Sequence, residues 1–445
     1  MDRIERFVAD AVLGIDTLFG GDVLNPSGTG RFIADSWFSD EPLPAAYAHA
    51  TAAAVRASGG VGAKQPDRAA IDAYLAVVDV RGAISALLAE GGALRGGRGA
   101  YLEGLGVCFE VMWDLAQELL GRGELVAYER CVRASTGAPP EPSRPDEMRR
   151  RVAALLAEAG HPSHDAASLL AAVDAWRRPR MVAGEAIPAL AARCIAELDQ
   201  GAARNLVPFL PPELAGVPRA NIEFLPIEDA WFSGSMNYLG RARGPQGRPL
   251  YEATYEINAS LEISEPEFRQ LVSHEVVPGH VTTFALLQDL LVRGAVGFEA
   301  SVLTMNTRAA ALFEGIANNA ILIAHGVTNI EELRDRDLQI GCLLALLQDD
   351  AKNQSSYLTW KEGWAQPDVA RVLREEYLVS AERAGKLSGA WGRHPLLGRM
   401  YLPCYRAGTR KVAELRRRHR PEAVLPALYG CRGLVDVVTI EAALA

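Results

Sequence analysis

Two histidines and a glutamate fall within seven residues at His274-Glu-Val-Val-Pro-Gly-His280. Two neutral imidazoles and a carboxylate from elsewhere in the chain can hold Zn²⁺ in a three-ligand site that keeps a fourth position for water, the chemistry of a metal-dependent hydrolase. The spacing is not that of H-E-x-x-H, where four residues rotate the second histidine by only about 40° on a helix. Here Pro278 holds the i+4 position and the second histidine comes at i+6, about 240° around an unbroken helix. His274 and His280 can share an ion only if the helix breaks between them. Pro278 supplies a break by removing a helical N–H and clashing with the preceding turn, and Gly279 tolerates an unusual backbone angle.

Neighbouring segments must position this motif. Ser264-Glu-Pro-Glu267 has the form of a capping box with proline in the first turn, and Phe268, Leu271 and Val272 give the helix a buried face. Upstream, Tyr251, Ala253, Tyr255 and Ile257 alternate with Glu252, Thr254, Glu256 and Asn258, the period of a half-exposed strand. The turn Gly244-Pro-Gln-Gly247 before it predicts a hairpin with residues near Ser235 to Leu239, whose open edge could bind an extended peptide. Downstream, Phe298 to Ala324 reads as one long helix ending at Gly326, with Glu314 near its middle among Ala309, Ala310, Ala311, Leu312, Ala317 and Ala320. A carboxylate in so apolar a setting wants a cation or a hydrogen-bond partner, and Asn306, Thr307 and Asn318 fall on nearly the same helical face. A second Glu-Gly-Trp, at Glu362-Gly-Trp364, sits in a turn-like context, which ranks Glu362 below Glu314 as a ligand.

The first two hundred residues are alanine-rich and helical. Ile4, Phe7, Val8, Ala11, Val12 and Ile15 form one apolar stripe, and Met148, Val152, Leu155 and Leu156 form another after the proline-rich stretch at 137–145. The fold expected is mainly α, a large helical body with a small antiparallel sheet or hairpin beside the metal-site helices. Composition divides it into a helical region 1–205 and a catalytic region 206–445, read as one continuous body. His161 and His164 sit in a turn without acidic or cysteine partners and read as exposed or capping groups.

At 445 residues and 49% hydrophobic the chain can bury a large core. A net charge of −9 argues against a general nucleic-acid or anionic-membrane surface and for a peptide or small amide-containing substrate. Six cysteines without C-x-x-C pairs read as reduced thiols, and acidic residues interrupt the first apolar positions, so the expected location is cytoplasmic.

His274-Glu-Val-Val-Pro-Gly-His280 resembles the H-E-x-x-P-G-H signature of the bacterial domain-of-unknown-function 885 family, whose members look like zinc metallopeptidases of the glutamate-zincin type. Gly247-Arg-Pro-Leu-Tyr-Glu-Ala-Thr-Tyr-Glu-Ile-Asn258 is similar to the family's extended segment, Phe313-Glu-Gly315 to its E-G-W element, and Tyr405-Arg-Ala-Gly408 with Glu414-Leu-Arg416 to its Y-x-x-G and E-L-R spacing. The resemblance covers roughly Ser235 to Arg416. It implies that His274, His280 and Glu314 bind zinc, that Glu275 is the general base, and that Tyr405 stabilises the oxyanion. Tyr255, Asn318, His394 and Arg399 are the expected substrate-side groups. The chain departs from the family at Val281, Ile316, Asn319 and Asn353, changes expected in the pocket wall. The donor set favours Zn²⁺, although iron or manganese also accept these ligand types. Two other readings stay open: a divergent member acting on a small biosynthetic intermediate, and a non-catalytic helical binding protein whose histidines remain apart.

Overall fold

Asp2 opens the first helix, Arg3–Leu18, with a reciprocal capping box: its carboxylate accepts from the Glu5 amide at 2.9 Å and Glu5 accepts from the Asp2 amide at 2.5 Å. Val8, Ala11, Val12 and Ile15 are fully buried, so the apolar stripe does face the core. The helix packs on the antiparallel pair Val80–Ala93 and Gly97–Leu119. The computed structural model describes residues 1–25, 33–227, 234–258 and 262–445, and the fold is mainly helical with a small amount of sheet.

Strand β1 (Ala34–Trp37) pairs antiparallel with a short strand far downstream, Val302–Thr304. A three-stranded sheet is formed by β2 (Ile222–Ile227), β3 (Gly234–Tyr238) and β4 (Ala253–Asn258), in the order β2-β4-β3. The anticipated hairpin is β3 with β4, antiparallel, with Met236 opposite Tyr255. The sheet is mixed rather than antiparallel, because β2 adds to β4 in parallel. Pro226 is accommodated on β2 because that strand lies at the edge. Ala253, Tyr255 and Ile257 are buried as their alternation requires. Tyr251 lies ahead of the strand at φ 52° and donates to Asp289 at 2.7 Å.

The apolar run from Phe298 is not one helix. It passes through a short 3₁₀ turn and then strand β5 (Val302–Thr304), and Thr307 caps a new helix, Arg308–His325. Asn306, at φ 61°, and Thr307 therefore lie outside that helix, so of the expected polar stripe only Asn318 stays on the helix with Glu314. Gly326 ends the helix at φ 67°, as its position suggests. The segment Arg308–Glu332 is long and apolar enough to cross a membrane by composition, but 83% of its most apolar window is buried in the chain's own core.

The two compositional halves are joined by buried and half-buried polar contacts: Arg98 to Glu299, Tyr128 to Ser356, Trp176 to Asp337 and Arg177 to Glu267. The proline-rich stretch at 137–145 docks on the long helix Arg336–Trp360. There the Ser143 amide donates to Gln354, and Asn353 donates to the Glu141 carbonyl and to Ser143. One hydrophobic core runs from Val8 to Ile440.

Candidate metal centre

The motif helix, Glu265–Glu275, stops at Val276, and a second helix, His280–Val292, begins on the second histidine itself. The break thus restarts the helical phase at His280 and brings the imidazoles together, with ring centroids 4.8 Å apart and planes at 90°. Gly279 has an ordinary φ of −78°. Its need for glycine is spatial, since a Cβ there would lie 1.8 Å from the His274 carbonyl oxygen. Tyr429 donates to the Pro278 carbonyl at 2.7 Å, and the Thr282 amide donates to the Val276 carbonyl at 3.1 Å, so the broken turn is held by hydrogen bonds.

Glu314 arrives from Arg308–His325 and is 4% exposed. That helix lies against Leu402–Arg418 at backbone contact: a Cβ on Gly315 would meet the Gly408 carbonyl at 2.5 Å, and one on Gly408 the Ala311 carbonyl at 1.7 Å. The Glu-Gly pair and the Y-x-x-G spacing are therefore two sides of one helix contact. Across it Tyr401 donates to Glu314 Oε1 at 2.6 Å, and Tyr405 donates to Tyr401 at 3.2 Å. The other oxygen, Oε2, has no hydrogen bond of normal geometry and faces His274 Nε2 at 3.4 Å and His280 Nε2 at 3.8 Å.

Asn318 sets the tautomer of His274. Thr409 uses its only hydroxyl proton on the Tyr405 carbonyl at 2.7 Å, so it accepts from Asn318 Nδ2, also at 2.7 Å. The Asn318 oxygen then faces His274 Nδ1 at 2.8 Å and takes its proton. A neutral His274 consequently turns a lone pair, not a donor, toward Glu314, and a proton or a metal ion must lie between them. Burial opposes a charge on His274, but the Glu314 contact and the charges of Glu275, Glu314 and Asp349 outweigh it and raise its pKa to about 9. Burial likewise opposes ionisation of Glu314, yet contact with His274 and the charges of His280, His274 and Lys352 draw it down to about 2. The cluster is built for positive charge at its centre.

Zinc fits this donor set. Ligand bonds of roughly 2.0–2.2 Å at tetrahedral angles space the donors about 3.3–3.6 Å apart, close to the two separations found here. Glu275 also offers an oxygen within 4.8 Å of both imidazole donors. It is half-exposed at the end of the motif helix, whereas Glu314 is buried with one oxygen tied to Tyr401, so Glu314 suits a ligand and Glu275 a base.

Several expected roles change. Asn318 is committed to His274 and Thr409, which makes it a support of the ligand rather than a substrate contact. Arg399 is 1% exposed, with its guanidinium bidentate on Glu118 and 4.6 Å over the Trp360 ring, and is not free to meet a substrate. His394 accepts the amides of Leu396 and Leu397, and burial lowers its pKa to about 4. Both residues shape the π-helical turn Leu397–Tyr401 that delivers Tyr401. Tyr255 lies within the field of Glu275 but is buried beneath Gly234. Val281 and Ile316 are buried in the core and Asn353 binds the proline-rich stretch, so these three departures pack the fold, whereas Asn319 binds the Gly315 and Thr409 carbonyls and lines a cavity beside Asn318. Glu362 is exposed, as its turn-like context indicates.

Sequence spacing gave no warning of Tyr401, Thr409, Asp349 or Lys352. Asp349 and Lys352, both on Arg336–Trp360, form a 2.7 Å ion pair, and the Lys352 ammonium lies 3.3 Å from the centroid of the Tyr405 ring. In sequence, Tyr401 and Thr409 do stand one helical turn before and one after Tyr405.

No family model matches the chain, and no curated protein matches it. Solved structures share its fold, two of them as follows. One, of a candidate lipoprotein from Colwellia psychrerythraea, superposes with a TM-score of 0.54 at 14% identity, over 81% of this chain and 66% of that one. The other, of a candidate lipoprotein of unknown function from Shewanella oneidensis, gives 0.51 at 16% identity, over 91% and 79%. The chain thus spans just under two thirds of the length of the first, and the likeness is one of fold.

Proposed function

We propose that this chain is a zinc-dependent hydrolase of peptide or amide bonds. The observation that carries the reading is the buried Glu314 oxygen aimed at two imidazole nitrogens, one of them fixed by Asn318 as a lone-pair donor. His274, His280 and Glu314 would hold the ion, which supplies Lewis acidity that acidifies water and polarises a carbonyl. Glu275, next to His274 and on the open side, takes a proton from the attacking water and passes it to the leaving nitrogen. The C–N bond breaks, the water oxygen joins the carbonyl carbon, and the products are a carboxylate and an amine. Tyr401 holds the Glu314 carboxylate in place, and Tyr405 orients Tyr401 through its hydroxyl. In this arrangement the Tyr405 proton is engaged with Tyr401, so a role at the oxyanion requires that hydroxyl to turn.

Elemental analysis of the purified chain and of two variants tests the reading. One zinc per chain is expected in the wild type and in Glu275→Gln, and none in His280→Ala. Amide hydrolysis should fall about 10²–10⁴-fold in Glu275→Gln, the usual effect of losing a general base. Full turnover in that variant, or a metal-free wild type after incubation with zinc, rejects the assignment.

A further inference from the structure

Behind Asn318, on the Nδ1 side of His274, lies a cavity of about 190 Å³. Four helices form its inner walls: the motif helix through Gln270, Arg308–His325 through Asn318 and Ile321, Arg336–Trp360 through Cys342 and Leu346, and Leu402–Arg418 through Thr409. His274, His280, Glu314 and Glu275 are not on its wall, so it is separate from the proposed metal centre. Its mouth is the side where Asn329, Glu331 and Arg417 are exposed.

The inner wall carries hydrogen-bond donors that the described residues do not accept. Gln270 is 3% exposed; its Oε1 lies 3.4 Å from the Ser273 hydroxyl and 3.5 Å from the Cys342 thiol, whereas its amide nitrogen has no partner among the described residues. That nitrogen is not sealed in protein either, which leaves it facing the cavity. Asn318 adds a second donor. Its oxygen is turned to His274, off the cavity wall, and its Nδ2 to Thr409, on the wall; one N–H goes to Thr409 and the other is left over. Water meets such donors but gains nothing from the apolar wall of Ile321, Leu322, Ile330 and Leu346.

Charge narrows the class of ligand. Arg151 at the cavity is paired with Glu331 at 2.5 Å, and Arg417 is exposed at the mouth, so the inner wall holds no cation. A carboxylate there would lose its hydration to neutral amides alone, whereas an uncharged carbonyl accepts from the same donors without that cost. An apolar cavity of about 150 Å³ holds benzene, so this one takes a molecule near that size with one small polar group.

We propose that this cavity binds a small uncharged molecule, an apolar body with a carbonyl at one end, whose oxygen accepts from Gln270 and Asn318. The binding itself requires no metal. Its effect on the metal rests on the hydrolase reading above: a carbonyl held by Asn318 Nδ2 fixes that amide with its oxygen toward His274, so the cavity and the metal centre reinforce each other.

Benzamide is the probe, and benzoate is its charged counterpart. Calorimetry on the full chain after treatment with a chelator should show one benzamide bound per chain, with benzoate at least about 10-fold weaker. Gln270→Met, of similar length without the amide, should weaken benzamide about 3- to 10-fold, the worth of one hydrogen bond. Ala413→Phe, which fills the cavity from its wall, should abolish binding. Melting temperatures by circular dichroism identify folded variants, and the comparison of benzamide with benzoate on the wild type stands without them. No binding of benzamide, tighter binding of benzoate, or an affinity unchanged in both folded variants overturns the site. The link to the metal is read separately: saturating benzamide should raise zinc affinity about 3- to 10-fold in chelator competition, and zinc should raise benzamide affinity by the same factor. Zinc uptake indifferent to benzamide overturns the link alone, and benzamide binding in a chain that takes up no zinc upholds the cavity and overturns the metal reading.

Discussion

His274 could serve as a ligand through Nε2 only while Nδ1 carries the proton, and Asn318 maintains that state through a hydroxyl that cannot donate twice. Replacing Asn318 with leucine, of similar size but without an acceptor, should weaken zinc binding about 10–100-fold, as loss of a ligand's hydrogen-bonded support does. Competition with a chromophoric chelator measures this, and an unchanged affinity would show that the tautomer needs no such help. At this scale His274, Glu275 and His280 were legible because covalent spacing alone brings them near one another. Glu314 was legible as a carboxylate in an alanine-rich helix, with the family resemblance to support it. Lys352 and Tyr401 were not, because their places depend on how distant helices meet. Arg399 departs from its expected place for the same reason: proximity in sequence to Tyr405 says nothing about a partner such as Glu118, 281 residues away.

Two helix pairs make the site, and each depends on a glycine that lets backbones touch. Gly279→Ala places a methyl against the His274 carbonyl, and Gly408→Ala places one against the Ala311 carbonyl. Gly279→Ala should remove zinc binding by separating the two imidazoles, while far-ultraviolet circular dichroism stays near that of the wild type. Gly408→Ala should lower stability by about 1–3 kcal/mol, the usual cost of overpacking, and shift Tyr401 away from Glu314. Chemical denaturation reads the stability and chelator competition reads the metal; normal values for both would show that the helices can part without loss. The need for a broken helix could be argued from the 240° rotation, but the manner of the break could not, since it depends on the contact between Gly279 and the His274 carbonyl. In the segment from Phe298, continuous apolarity conceals a switch from strand to helix, marked only by Val302, Thr304 and the left-handed Asn306.

Across the whole molecule the core is continuous, and a buried carboxyl outside the candidate site should still be felt in global stability. Burial raises the Asp16 carboxyl to about 7, although the amides of Ala34 and Ile33 favour its charged form. A carboxyl whose folded pKa is raised above its unfolded value binds more protons when folded. Its contribution is therefore complete below about pH 4 and is lost as pH rises through 7, on the order of a few kcal/mol. Asp16→Asn keeps an acceptor for both amides and cannot ionise, so it should raise the melting temperature at pH 8 much more than at pH 4. The same gain at both values would place the effect elsewhere. The general character of the fold, helical with a little sheet, was readable from periodicity, while the joining of the two halves was not, because contacts such as Trp176 with Asp337 link residues 161 positions apart in sequence. The bond from Tyr429 to the Pro278 carbonyl gives this assembly an order in time. Pro278 leaves the ribosome 151 residues before the side chain that fastens it. A nascent chain halted before Tyr429 carries every proposed ligand and the base, yet lacks the tie on the turn between the histidines, so firm metal capture should be among the last events of biosynthesis.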